Sequence, residues 1–244
     1  MIINNLEEFK EHVLSEFPKE ACGFIIDEMF IPAENSAQLP TEDFKISSEE
    51  YLKAAKTGKL QAIVHSHPRP LGINRPGMVY DIRTPSMNDL QGQQDTNIPW
   101  GIVATEGEGV SEILWFGLDT PAPLLERTFI HNVYDCYTLV RDYYKLEHNL
   151  ELGSYPRPAN WQDYDKHIYE HHYEEEGFQI INTPAVGDLI FFKVLSKNFV
   201  DHAGIYLGND TFLHHQYNKL SSVESLSRWF KHISCYLHNT RLDK

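Results

Sequence analysis

Two histidines leave the end of a short apolar run at alternating spacing, His65-Ser66-His67-Pro68 after Ala62-Ile63-Val64. The run is rich in β-branched residues and reads as a buried strand. On a strand, positions i and i+2 share a face, so both imidazoles project to one side. Imidazole nitrogen is a favoured zinc ligand. In a chain with 13 histidines such a pair alone is as well read as two polar residues, and its neighbours decide what it means. Downstream, Pro85-Ser86-Met87-Asn88-Asp89 opens a predicted helix, and Asp89 offers a carboxylate. Upstream, Glu20 precedes the apolar run Phe24-Ile25-Ile26 and brings a second carboxyl to a strand start. Glu20, His65, His67, Ser86 and Asp89 together supply a general base, two nitrogen ligands, a hydroxyl and an oxygen ligand. A catalytic zinc takes three protein ligands and keeps one position for water, and this set has that number. Eighteen residues separate His67 from Ser86. They are rich in Pro, Gly and Arg, which predicts a surface loop beside the metal. Asp81 within that loop is an alternative third ligand, although the serine three residues before Asp89 favours Asp89.

A second chemical set lies in the other half of the chain. The stretch 133–140 leads into a helix whose apolar positions are Leu139, Val140, Tyr143, Tyr144 and Leu146. Cys136 falls in its first turn, where the helix dipole lowers a thiol pKa. A lone free cysteine is more often buried and inert, so a matching base is needed. Segments 185–192 and 202–208 read as strands, the second beginning at His202. Asn209-Asp210 makes a tight turn and 211–215 returns antiparallel. That hairpin carries His214 back toward His202, which completes a nucleophile, base and orienter pattern.

The elements that hold these residues follow from the hydrophobic pattern. Leu6, Phe9, Val13, Leu14 and Phe17 predict a first helix that Pro18 ends. Strands are predicted at 22–27 and 29–33, a helix at 49–56 closing at Gly58, and paired strands at 100–104 and 113–116. The prolines at 121 and 123 resist helix and sheet pairing, so 118–130 reads as a linker. It separates a domain at 1–117 from one at 131–244, both of an α/β (α+β) class. The polar, aromatic segment 155–177 contains Trp161, His167, His171 and His172. It reads as a solvated helix, with a second metal cluster as the alternative.

Composition excludes several function classes. Net charge is −14 with no basic cluster, so nucleic acid is not an expected partner. No apolar run approaches the length of a membrane span, and charges rather than an apolar stretch follow the first residues, so neither membrane insertion nor a secretory signal is expected. Three separated cysteines do not form a disulfide framework.

The order Glu20, His65-Ser66-His67-Pro68, Ser86, Asp89 resembles the JAMM (MPN) zinc isopeptidase family over roughly 1–117. The gap after His67 is longer than that family's. The resemblance implies an MPN-like metallopeptidase fold with Zn2+ on His65, His67 and Asp89, Glu20 moving the proton, and Ser86 helping to hold the oxyanion. In the second half, Asp135-Cys136, the run Gly187 to Phe192 and the run His202 to Asn209 resemble the NlpC-type cysteine peptidases of papain-like fold. That resemblance implies Cys136 as nucleophile, His202 as base and His214 as orienting residue. His215 is the rival for the last role, because strand alternation admits only one of the two. Tyr137-Thr138 replaces the family's Ser/Thr-Gly after the cysteine and alters the wall beside it. The two domains in this order, with the phrases 135–142 and Leu213-His214-His215, are similar to tail tip assembly family K of lambda-like, long-tailed phages. This implies synthesis in the host cytoplasm, other tail tip proteins as partners, and cleavage of peptidoglycan peptides in the host periplasm during entry. The alternative is a non-catalytic assembly factor that uses two peptidase folds as binding surfaces.

Overall fold

The computed structural model describes residues 1–69, 81–157 and 168–243. The chain divides into two compact units, Met1–Asp119 and Thr120–Lys244.

In the first unit, helix α1 (Leu6–Glu16) turns Phe9 and Val13 inward, one helical turn apart. Strands β1 (Cys22–Ile26) and β2 (Met29–Ala33) form a hairpin. Its turn residues, Asp27 and Glu28, both take positive φ, the geometry that suits a two-residue hairpin loop to strand twist. Helix α2 (Ser48–Thr57) begins at Ser47, whose side chain accepts the Glu50 N–H. Strand β3 (Leu60–Pro68), helix α3 (Met87–Thr96), and strands β4 (Trp100–Thr105) and β5 (Leu114–Phe116) follow. The sheet order is β2-β1-β3-β4-β5, with β3 and β4 parallel and every other pair antiparallel. A parallel pair needs a crossover, and α3 lies in the connection. Phe9 and Val13 pack with Ile25, Ala62, Val64 and Val103 on one face of the sheet. On the other face Phe24 meets Tyr51 of α2. The alternation that sends Ala62 and Val64 toward α1 sends Ile63, His65 and His67 to the opposite side.

In the second unit, helix α4 (Cys136–His148) packs on an antiparallel sheet of order β10-β9-β8-β7-β11-β6. Its members are β6 (Phe178–Ile181), β7 (Leu189–Phe192), β8 (His202–Gly208), β9 (Thr211–His214), β10 (Ser222–Ser225) and β11 (Ile233–Asn239). A short helix α5 (Ile168–His172) precedes β6, and a 3₁₀ helix, Leu226–His232, joins β10 to β11. Leu139, Val140 and Tyr144 of α4 are buried with Leu189, Ala203, Ile205 and Leu237. The β8–β9 turn runs through Asn209 and Asp210, both at positive φ.

Several sequence expectations change here. Thr120 onward belongs to the second unit. Arg127, inside the stretch read as a linker, is buried there: its side chain donates to the Pro123 carbonyl at 2.6 Å and pairs with Asp142 at 2.6 Å. Leu14 and Leu146, counted as apolar helix positions, are 38% and 47% exposed, so the inward stripes are narrower than the spacing suggested. Within 155–177, residues 158–167 lie outside the described residues, including Trp161 and His167. The remainder is not a solvated helix, because Tyr169 of α5 is buried in the core.

Phe9 is fully buried, with its ring 4.8 Å from that of Phe30. Truncating such a side chain costs about 3–5 kcal/mol. Phe9→Ala is therefore expected to lower the urea midpoint of the first unit, with its denaturant dependence unchanged.

Candidate active sites

In the first unit, β3 presents His65 and His67 on the face that α3 covers. The Nε2 atoms of the two rings lie 3.1 Å apart. Asp89 completes the group: its Oδ1 is 3.3 Å from His65 Nε2 and its Oδ2 is 3.5 Å from His67 Nε2. A tetrahedral zinc with metal–ligand bonds near 2.0–2.1 Å sets its ligand atoms about 3.3–3.4 Å apart, so these three donors have the dimensions to hold one. A carboxylate oxygen of Glu20 joins the two histidines, with one ligand atom of each within 4.8 Å of the others. Asp81, the alternative ligand, is instead engaged by Arg83 through Nη2 at 2.8 Å and Nε at 3.0 Å. Residues 70–80 of the intervening loop lie outside the described residues.

Local chemistry fixes each side chain. Ser86 caps α3: its Oγ accepts the Asp89 N–H at 3.1 Å while Asp89 Oδ2 accepts the Ser86 N–H at 2.7 Å. This reciprocal capping box aims Asp89 at the histidines and commits the Ser86 hydroxyl to the helix end. His67 Nδ1 is 2.6 Å from the Ile82 carbonyl. A carbonyl only accepts, so Nδ1 carries a proton, and in the neutral ring Nε2 then keeps the lone pair, the arrangement a metal-bound histidine needs. Phe44 stacks on His65 at 4.3 Å. Ser66 was not singled out from sequence. Its Oγ accepts the Ala21 N–H and its N–H donates to the Ala21 carbonyl, both at 2.9 Å, which anchors Glu20 beside the histidines.

Burial pushes Glu20 up to about 8, with Asp89 and Asp43 adding to it against His67. A bound cation would favour the ionised form and bring it down. Burial also acts to raise Asp89, but His65 and His67 outweigh it and hold the carboxyl well below its usual range. Burial lowers His65. At His67 burial is outweighed by Asp89 and Glu20, and the net direction is upward.

In the second unit, Cys136 is the first residue of α4, directly after its cap. Asp135 Oδ1 accepts the N–H groups of Tyr137 at 3.1 Å and Thr138 at 3.0 Å, and Thr138 Oγ1 accepts the Asp135 N–H at 2.8 Å. Asp135 Oδ2 accepts the Asn132 N–H at 2.8 Å and pairs with the buried guanidinium of Arg157. Asn132 returns two bonds to the Arg157 backbone. The Cys136 thiol lies 3.0 Å from the Tyr169 hydroxyl.

His202 Nε2 and His214 Nδ1 are 2.9 Å apart. Gly204 stands directly across from His214 in the β8–β9 ladder. A Cβ at Gly204 would come within 2.8 Å of the Leu213 carbonyl and the Phe212 ring, so the close approach needs glycine. His215 points the other way, with Nε2 3.1 Å from the Lys219 carbonyl and its ring against Phe129. Burial raises the thiol to about 11, with Asp135 adding and Tyr169, Arg157 and Ala203 opposing. Burial lowers His202 to about 3 and His214 to about 4. The expected depression of the thiol by the helix N-terminus is thus outweighed by burial. Both directions favour the uncharged forms, a thiol at Cys136 and an imidazole at His202.

Residues 117–239 match the NlpC/P60 family. The chain is 33% identical to tail tip assembly protein K of Escherichia phage N15, over 88% of this chain and 86% of that protein. It belongs to the tail tip assembly protein K family. Tail tip assembly protein K of Escherichia phage lambda is 29% identical over 73% of this chain and 81% of that protein. Among solved structures, the NlpC/p60 domain of the peptidoglycan hydrolase SagA aligns at 20% identity, with a TM-score of 0.29, over 43% of this chain and 77% of that one. On the family match over 117–239, the second unit of this K-family protein carries an NlpC/P60 domain, a cysteine peptidase type of hydrolase. Among the described residues, no helix is long and apolar enough to cross a membrane.

The Asp135–Arg157 pair yields a stability prediction. Removing one partner of a buried ion pair costs about 3–5 kcal/mol, so Arg157→Ala is expected to destabilise the second unit by that order at pH 7. Asp135 is held below its unfolded value, so its contribution is present above about pH 4 and fades as pH falls below that. The difference between wild type and Arg157→Ala in urea unfolding should shrink from pH 7 to pH 3.

Proposed function

We propose that this protein is a two-site peptidase of the phage tail tip, with the cysteine site acting on the peptide stems of peptidoglycan during entry. The observation that carries this reading is the contact of His202 with His214 at 2.9 Å, on the sheet against which the helix that begins at Cys136 packs, inside the region that matches NlpC/P60. Cys136 attacks the amide carbonyl as its proton passes to His202 Nδ1, the nitrogen left after Nε2 bonds His214. His202 then gives that proton to the leaving amine, and water hydrolyses the thioester. His214 holds the ring in the required orientation.

The first site is proposed as a zinc centre held by His65, His67 and Asp89. Bound zinc supplies Lewis acidity that brings a water near pKa 7. Glu20, anchored through Ser66 and Ala21, would serve there as the group that accepts and passes on a proton at its carboxylate. Its substrate is an isopeptide in a wall cross-bridge or a tail protein trimmed during assembly. Other tail tip proteins are the proposed partners. The protein is made in the host cytoplasm and reaches the periplasm with the tail. The rival reading, an assembly factor without catalysis, is favoured by one observation: the Tyr169 hydroxyl already occupies the thiol.

Digestion of purified peptidoglycan, with released fragments identified by mass, separates the two. Wild type and His67→Ala are expected to release the same fragments, and Cys136→Ala and His202→Ala none. Release that persists in Cys136→Ala would overturn the assignment of the cysteine site. No release by any variant, even with other tail tip proteins added, would favour the assembly factor. Independently, wild type is expected to hold about one zinc per chain by elemental analysis, and His65→Ala or His67→Ala to lose it. Equal metal content in all three would remove the zinc reading.

A further inference from the structure

Beyond His214, the polar chain in the second unit continues. Ser222 is directly across from His214 and Glu224 across from Phe212 in the β9–β10 ladder, so Glu224 lies diagonal to His214 on the same face. One carboxylate oxygen, Oε1, is 3.5 Å from His214 Nε2. That nitrogen is buried and has no formed hydrogen bond. The other oxygen, Oε2, accepts the indole N–H of Trp229 at 2.9 Å. The Trp229 ring stacks on His202 with centroids 5.5 Å apart and meets His214 edge-on at 4.8 Å. One side chain from the 3₁₀ helix thus covers both imidazoles and holds the acid that faces the second.

We propose that Glu224 and Trp229 are positioning residues for the cysteine site, with Glu224 selecting the His214 tautomer and Trp229 fixing Glu224 while excluding water from the histidine pair. The proposal rests on the reading of Cys136 and His202 as nucleophile and base. Its argument is proton counting. For His202 Nδ1 to receive the thiol proton, the ring's own proton must sit on Nε2 and be donated to His214 Nδ1. His214 must then carry its proton on Nε2, where only an acceptor is tolerated. A carboxylate has no proton to offer in return, so it admits this tautomer and disfavours the other. It also places a negative charge at the far end of the chain when His202 becomes imidazolium.

The groups around this chain are few. His202 faces His214 and feels the charges of His215, on the opposite side of the strand, and of Asp135. His214 faces His202 and Glu224 and feels the charges of His215 and Lys219. Glu224 faces Trp229, His214 and Lys219; burial, which acts to raise it, is outweighed by these three, so it stays ionised.

The experiment is the pH dependence of Cys136 alkylation by iodoacetamide, read by intact mass. The intact chain is compared with Glu224→Gln, Trp229→Phe, His202→Ala and His214→Asn. Gln can turn its amide N–H toward His214 Nε2 and hold the unproductive tautomer. The expected result is about tenfold slower alkylation at pH 7 in Glu224→Gln, the equivalent of one pKa unit, with the inflection moved to higher pH. Trp229→Phe, which keeps a ring and loses the donor, should show a smaller shift in the same direction. In a His214→Asn background, Glu224→Gln should add nothing, which a merely structural role would not produce. An unchanged profile in Glu224→Gln, or an equal further loss in the His214→Asn background, overturns the proposal while leaving the pair intact. Wild-type alkylation that is indifferent to His202→Ala overturns the pair itself and the proposal with it. Matching near-ultraviolet circular dichroism of the variants separates these outcomes from misfolding.

Discussion

Asp135 carries a full negative charge at 2% exposure, and the second unit is arranged around that fact. An isolated carboxylate in such a place would cost several kcal/mol or would be protonated. Here it accepts three backbone N–H groups and faces the guanidinium of Arg157. Two of those N–H groups are the otherwise unpaired donors at the start of α4, and the third ties down the chain before it. Cys136 sits between cap and helix with little freedom of its own. A buried ion pair adds little stability compared with apolar residues of the same volume. What this pair supplies is placement: it fixes the backbone on either side of Cys136 at the start of α4.

The first unit solves a related problem with a different outcome. Asp89 is also half of a capping box, bonded to Ser86 in both directions. Its oxygens, however, turn to imidazoles rather than to a permanent cation. Asp135 and Arg157 close on each other and satisfy each other's charge. The nitrogens of His65 and His67 instead gather beside Asp89, and with the buried Glu20 they bring several lone-pair donors close together. Lone pairs gathered in this way repel unless something positive lies among them. The His67 Nδ1 proton is committed to the Ile82 carbonyl, so the charge between these groups must come from a proton on His65 or from the cation proposed for the site.

Local features were legible in the sequence and cross-chain ones were not. Alternation along 62–67 placed both histidines on one face, and a serine three residues before Asp89 marked a helix start. The Asn209-Asp210 turn gave the β8–β9 hairpin. Its register decided between His214 and His215, because neighbours on a strand face opposite ways. The role of Ser66 depends on Ala21, 45 residues earlier. Arg157 reaches Asp135 from 22 residues away, and Tyr169 reaches Cys136 from 33. No periodicity encodes such pairs. Strands β6, β10 and β11 went unread for a related reason: β6 and β10 are short edge strands with weak alternation, and Ile180 is 60% exposed. The prolines at 121 and 123 were read as a linker because they exclude regular pairing, yet an irregular segment still packs when a side chain such as Arg127 finds partners.

The balance at Cys136 shows why the surroundings of the base matter more than the helix end. A helix N-terminus contributes roughly half a charge that acts within its first turn, enough to shift a thiol by a modest amount. Removing water from the same sulfur, and setting the Asp135 carboxylate beside it, pushes the other way and prevails. Cys136 therefore does not wait as a free thiolate. On the proposed reading its proton leaves as the sulfur attacks, toward an imidazole that is oriented, carries its own proton on the far nitrogen, and is kept from water. In His202 those three conditions fall to His214, to the group behind His214, and to the Trp229 ring. A site built this way keeps its nucleophile quiet until a substrate displaces the Tyr169 hydroxyl.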